Sequence, residues 1–144
     1  MKSTEAKTNT TDVDVAREDL KKRIELIEEA YEFMLGYAAQ GLPGDREARS
    51  GAQLRNYLGR CDTALTGLAD LCSRLLLEEN DYSADRPPAF TSVLERDARD
   101  AQAAIQLVLA QPSISSQLID NLNASIHVRA LLTDLFLIAE ILKT

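Results

Sequence analysis

The spacing of apolar residues predicts that this chain folds into four helices. From about residue 12, apolar side chains recur at alternating steps of three and four residues, as on the buried face of a packed helix. This pattern predicts a first helix over 13–39, which ends at Gly41 because two glycines and a proline follow each other there. Its apolar positions are Val13, Leu20, Ile24, Ile27, Tyr31, Met34 and Ala38.

A second helix is predicted over 45–79, with the carboxylate of Asp45 as a cap for its first free amides. Its apolar residues alternate strictly at steps of four and three, which favours coiled-coil-like packing at shallow angles. Gly51, Gly59 and Gly67 each weaken this helix by about 1 kcal/mol relative to alanine, so they either permit close approach or mark a bend. The apolar positions are Leu54, Leu58, Cys61, Leu65, Leu68, Cys72 and Leu75.

The second half of the chain predicts a long loop and two further helices. Residues 80–90 are polar and rich in proline, which is typical of a loop. Ser92 and Glu95 fit a capping box for a third helix over 92–110, and Pro112 ends it. A fourth helix follows over 113–143, weakened over 121–125 because Asn and Ser side chains there compete with backbone hydrogen bonding. The predicted fold is therefore all-α, an antiparallel four-helix bundle with long helices. Residues 1–11 are polar and predict a flexible tail, and residues 12–144 predict one domain.

The fourth helix carries more apolar surface than one bundle core needs. Residues 101–144 include only five charged side chains. A helical projection separates two apolar stripes, and a second exposed stripe would be an aggregation hazard. Either the helix is central to the fold, or one stripe packs against a second copy of the chain, and we expect a homodimer. The candidate self-association stripe is Val128, Leu131, Leu135, Ile138 and Leu142; the other is Ile119, Ile126, Ala130, Leu137 and Ile141, and the sequence leaves open which one faces the partner.

Charge and hydropathy narrow the expected environment. The net charge of −7 gives no general attraction for phosphate, so we expect no nucleic-acid partner. The largest basic run, 21–23, is flanked by acidic residues and is interpreted as a solvated helix face. The most apolar stretch, 128–142, is shorter than the about 20 residues that cross a bilayer, so no membrane contact is expected. The N-terminus has no apolar signal segment, which favours a cytoplasmic location with reduced cysteines.

Candidate chemistry is sparse. A di-iron bundle needs two Glu-x-x-His pairs, whereas His127 is the only histidine and Ala124 precedes it by three residues. Asp134 lies seven residues after His127, and these two are the polar candidates of the fourth helix. Cys61 and Cys72 fall on apolar helix positions, where a thiol packs as a small hydrophobe. We therefore expect no catalytic residues, no metal and no cofactor, and hence a protein that is not an enzyme.

Two functional hypotheses follow. The first is a non-catalytic protein-interaction module, acting as an adaptor, assembly factor or regulatory subunit, that associates with itself and with another protein. The alternative is a sensor or carrier that binds a small molecule between its helices. The pocket of that alternative would be lined by Met34, Tyr57, Cys61 and Phe136, with His127 as a polar contact.

Overall fold

The structure is a computed structural model in which the described chain is all-helical. It describes residues 2–79, 85, 86 and 88–143, with side chains from residue 12 onward. The described part contains six helices and no β-strand. They are α1 (Lys2–Ala38), α2 (Arg49–Leu65), α3 (Leu68–Glu79), α4 (Phe90–Leu109), α5 (Ser116–Ala124) and α6 (His127–Leu142).

The structure has six helices in its described part, whereas the sequence predicted four, because two of the predicted helices are each broken in the middle. The helix over 45–79 divides at Thr66, which is extended, and Gly67, whose φ of +73° is a conformation that glycine adopts without strain. The helix over 113–143 divides at Ile126, which has a left-handed backbone. The helix count therefore confirms an all-helical fold but not a bundle of four long helices.

The predicted glycine roles separate in the structure. Gly67 marks the bend between α2 and α3. Gly51 permits a close approach, because a Cβ atom there would overlap the backbone of Asp45. Gly59 does neither, since a Cβ atom at that position would meet nothing within 4 Å.

The helix ends also differ from the prediction. Helix α1 begins at Lys2, well before residue 13, because no glycine or proline interrupts 2–12. The side chains of 1–11 lie outside the described part, so the flexible tail stays a prediction. Helix α4 begins at Phe90 without a side-chain cap, so the capping box of Ser92 is not formed. Most of the predicted 80–90 loop lies outside the described residues.

The core lies between α1 and α4, which do not contact each other. Each of these two long helices packs against α2, α3, α5 and α6. The predicted apolar positions of the second helix, from Leu54 to Leu75, are all buried in this core. Their burial confirms the apolar pattern even though the helix that carries it is broken. No helix in the described part is long and apolar enough to cross a lipid bilayer.

Candidate functional site

The stripe of α6 named as the self-association candidate faces the core of its own chain. All five of its side chains are buried, because α6 packs against α1, α3, α4 and α5. They are therefore core residues of the single chain and offer no surface to a partner. The residues are Val128, Leu131, Leu135, Ile138 and Leu142.

The second stripe of α6 is the one that remains exposed. Ile126, Leu137 and Ile141 are 58%, 51% and 55% exposed, and Phe136 beside them is 46% exposed. Ala130 is half-buried in the same stripe, whereas Ile119 belongs to α5 and is buried. The helix is thus covered on one side only, so the interpretation of a fully enclosed central helix does not hold. We call the exposed set Ile126, Phe136, Leu137 and Ile141 the outer face of α6.

The corner between α5 and α6 places Ile126 on this face. Ile126 has φ +63° and ψ +1°, a left-handed conformation that is rare for a β-branched residue. Its N–H donates to the carbonyl of Asn123, and its own carbonyl accepts from the N–H of Ala130 in the first turn of α6. The turn therefore holds a large aliphatic side chain in solvent at a backbone cost of about 1–3 kcal/mol.

The two polar candidates do not form a pair. His127 is exposed at the start of α6, and no hydrogen bond or ion pair joins it to Asp134. Asp134 is buried where α6 meets α4, with the carboxyl of Asp97 as its neighbour, and its Oδ2 atom has no hydrogen-bond partner among the described residues. Burial, followed by the contact with Asp97, raises the pKa of Asp134 to about 7.

A small cavity adjoins Asp134 on the outer side of α6. It has a volume of about 330 Å³ and is lined by Ile126, Arg129, Ala130, Thr133 and Asp134. These residues include Ile126 of the outer face and the half-buried Ala130.

A buried polar cluster that sequence reasoning missed joins two connections of the fold. Asp45 does not cap α2; its carboxylate accepts hydrogen bonds from the guanidinium of Arg55 and, at 2.6 Å, from the N–H of Ile114. The pKa of Asp45 is lowered, chiefly by the bond from Arg55. Tyr37 donates its hydroxyl hydrogen to the carbonyl of Ile114 at 2.6 Å, and Ser116 donates to the carbonyl of Tyr37 at 2.7 Å. We call these five residues the Asp45 cluster.

The geometry of the Asp45 cluster indicates a structural role. Arg55 also donates to the carbonyl of Gln111, so one guanidinium links α2 to the connection between α4 and α5. The side chain of Asp45 is only 5% exposed and its neighbours satisfy it. Only the alternation of apolar residues was available from the sequence, and a lone aspartate beside Gly44 gave no signal of burial.

Both thiols are core groups. Cys61 and Cys72 are buried, and burial raises the pKa of each to about 12, with the charge of Asp62 adding to the effect at Cys61. They remain protonated at neutral pH. Among the described residues, no three His, Cys, Asp or Glu side chains are grouped so as to hold a metal ion.

The residues of the predicted small-molecule pocket have different environments. Met34 and Cys61 are buried in the core, Tyr57 stacks on Phe33 with ring centroids 4.7 Å apart, and Phe136 is exposed.

The chain matches no protein-family model, no curated protein and no solved structure.

Proposed function

We propose that this chain is a non-catalytic protein-interaction module that forms a homodimer through the outer face of α6, acting as an adaptor, assembly factor or regulatory subunit. The observation that carries the proposal is the exposure of Ile126, Leu137 and Ile141 on one side of a helix whose opposite stripe is fully buried. Several large apolar side chains on one exposed helix face are typical of an interaction site.

The size of this face supports pairing with a second copy. Burying one large aliphatic side chain contributes about 1.5–3 kcal/mol. A twofold axis would bury the exposed half of three aliphatic side chains in each copy, for a gain of about 5–9 kcal/mol, against an association cost of about 4–15 kcal/mol. Twofold dimers are the commonest assemblies and need only one self-complementary surface. The expected dimer persists at micromolar concentration.

The inner and outer stripes of α6 give a paired test. The double variant Leu137→Glu, Ile141→Glu places two charges on the outer face, where water solvates them in a monomer and where they prevent pairing. We expect a folded monomer in sedimentation velocity, with the circular dichroism spectrum unchanged. The double variant Leu131→Glu, Leu135→Glu places the same charges in the core and should unfold the chain.

A matched control tests whether position matters rather than exposure. Leu107 is 67% exposed on α4, so Leu107→Glu removes an exposed leucine outside the outer face. This variant should sediment like the wild type. A wild-type protein that sediments as a monomer at micromolar concentration, or an outer-face variant that stays dimeric, would contradict the proposal.

A further inference from the structure

A groove between α1 and α2 concentrates positive charge on an acidic protein. It has a volume of about 670 Å³, and four of its lining side chains are cationic, whereas one is a carboxylate. The whole chain carries a net charge of −7, so this groove has the opposite sign to the protein that forms it. The cations are Lys22 and Arg23 on α1 and Arg55 and Arg60 on α2, and the carboxylate is Asp19.

Two of the four cations are paired with carboxylates, and the other two are not paired with any side chain in the described part of the chain. Arg23 is paired with Asp19 at 3.0 Å and also donates to the carbonyls of Ala64 and Thr66 at the end of α2. Arg55 is paired with Asp45. The other two, Lys22 and Arg60, are exposed, one on each wall. The groove therefore has two arginines paired with carboxylates toward its ends and two unneutralised cations, Lys22 and Arg60, along its length.

The floor of the groove is apolar and contains a glycine that the fold does not need. Leu26 and Ala64 line the groove together with Gly59. Glycine inside a helix costs stability, and nothing lies within 4 Å of where a Cβ atom at position 59 would stand. Because Gly59 has no Cβ atom, the backbone of another chain can approach α2 closely at this position.

The geometry points to an acidic helical segment of a partner protein as the occupant of this groove. The lining of α2 from Arg55 to Ala64 spans about 14 Å, which is between two and three turns of a docked helix. A helix with small apolar residues on one side would pack on Gly59, and carboxylates on its flanks would meet Lys22 and Arg60. A compact inorganic anion would gain nothing from the apolar floor. The groove lies on α1 and α2, so this inference does not depend on the pairing of α6.

The test uses the full chain, labelled with ¹⁵N, and three defined probes. The first is a synthetic helical peptide with glutamates on both flanks of an alanine and leucine stripe, the second is the same peptide with lysine in place of glutamate, and the third is pyrophosphate. We expect saturable amide shifts over 19–26 and 55–64 with the acidic peptide only, weakening as salt is added.

Charge and shape variants separate specific docking from nonspecific attraction. Lys22→Glu, Arg60→Glu should weaken binding of the acidic peptide at least about tenfold. Arg96→Glu, Arg99→Glu makes the same change in net charge on exposed residues of α4 and should leave binding unchanged. Gly59→Leu should raise the melting temperature, because leucine favours helix, and yet weaken binding at least about tenfold by filling the groove.

Several results would overturn the inference. They are an absence of saturable shifts in the groove, equal binding of the basic peptide, full displacement of the acidic peptide by pyrophosphate, or unchanged binding in Gly59→Leu. Shifts over 19–26 and 55–64 that appear on concentrating the protein alone would assign the groove to a second copy of this chain and would overturn it as well.

Discussion

Asp45 and Asp134 are buried to nearly the same extent, at 6% and 8% exposed. The groups around the two carboxyls, however, have opposite effects on the charged form. Asp45 meets hydrogen-bond donors, namely the guanidinium of Arg55 and the N–H of Ile114. Asp134 meets the carboxyl of Asp97, and no side chain or backbone group in the described ranges forms a hydrogen bond with its Oδ2 atom. One aspartate is therefore stabilised as a carboxylate, and the other is destabilised in that form.

The difference teaches that burial alone does not set the charge of a carboxyl group in this protein. The pKa of Asp45 is lowered although burial opposes it, because the bond from Arg55 outweighs desolvation. The pKa of Asp134 is raised to about 7 because desolvation and Asp97 act in the same direction. The Asp45 cluster joins connections within the fold, whereas Asp134 lies beneath the exposed stripe of α6.

The largest expected effect comes from removing the satisfied carboxylate. Asp45→Ala leaves the N–H of Ile114 and part of the guanidinium of Arg55 without an acceptor. We expect the free energy of unfolding to fall by about 2–4 kcal/mol in urea denaturation at pH 7. The difference should shrink in acid, because the contribution of a lowered pKa is lost as the pH falls through that pKa.

Asp100→Ala is the matched control for this change. Asp100 is an exposed aspartate of α4, so its removal alters the net charge equally and should change stability by less than about 0.5 kcal/mol. Equal losses in the two variants would show that the Asp45 cluster contributes nothing specific.

A smaller effect of opposite sign is expected at the unsatisfied carboxyl. Asp134→Asn keeps the shape and removes the charge, so at pH 8 it should raise the free energy of unfolding by on the order of 2 kcal/mol. At pH 5 the wild-type carboxyl is protonated in the folded state, and the gain should be clearly smaller than at pH 8 because the penalty accumulates between the unfolded and folded pKa values. Urea denaturation of both proteins across this pH range measures the difference.

The sign follows from proton release. The pKa of the Asp134 carboxyl is 3.8 in the unfolded chain and about 7 in the folded protein. Between these values unfolding releases a proton, so this group lowers stability as the pH rises and adds no further change above the folded pKa. A gain from Asp134→Asn that is the same at pH 5 and pH 8 would show that Asp134 is ionised throughout, contrary to the raised pKa.

The apolar pattern predicted helices and core positions well because it reports local geometry directly. The step of three and four residues placed Leu54 to Leu75 correctly in the core. It did not reveal the break at Ile126, because isoleucine has no turn preference. The Asn and Ser residues of 121–125 indicated only a weakened helix, and backbone hydrogen bonds with Asn123 and Ala130 accompany the left-handed conformation of Ile126.

The interaction surfaces were less predictable for a related reason. The two stripes of α6 were visible in the sequence, but which one faces the core depends on where α1, α3 and α4 pack. The basic groove combines Lys22 and Arg60, which lie far apart in the chain, and nearby acidic residues concealed the charge of the 21–23 run. The Asp45 cluster likewise joins residues that are distant in the chain, so no local sequence pattern predicts it.

The smallest effect is expected from a substitution in the Asp45 cluster that leaves one buried carbonyl oxygen, that of Ile114, without a hydrogen-bond donor. In this respect the cluster would then resemble the Asp134 site. Tyr37→Phe removes the hydroxyl that donates to the carbonyl of Ile114 without changing the shape of the core. We expect the free energy of unfolding to fall by about 1 kcal/mol. Tyr31→Phe is the control, because Tyr31 is half-buried on the same helix and its hydroxyl makes no hydrogen bond within the described chain. A loss in Tyr37→Phe no greater than that in Tyr31→Phe would mean that water replaces the hydroxyl at Ile114 and that the cluster tolerates an unpaired acceptor as the Asp134 site does.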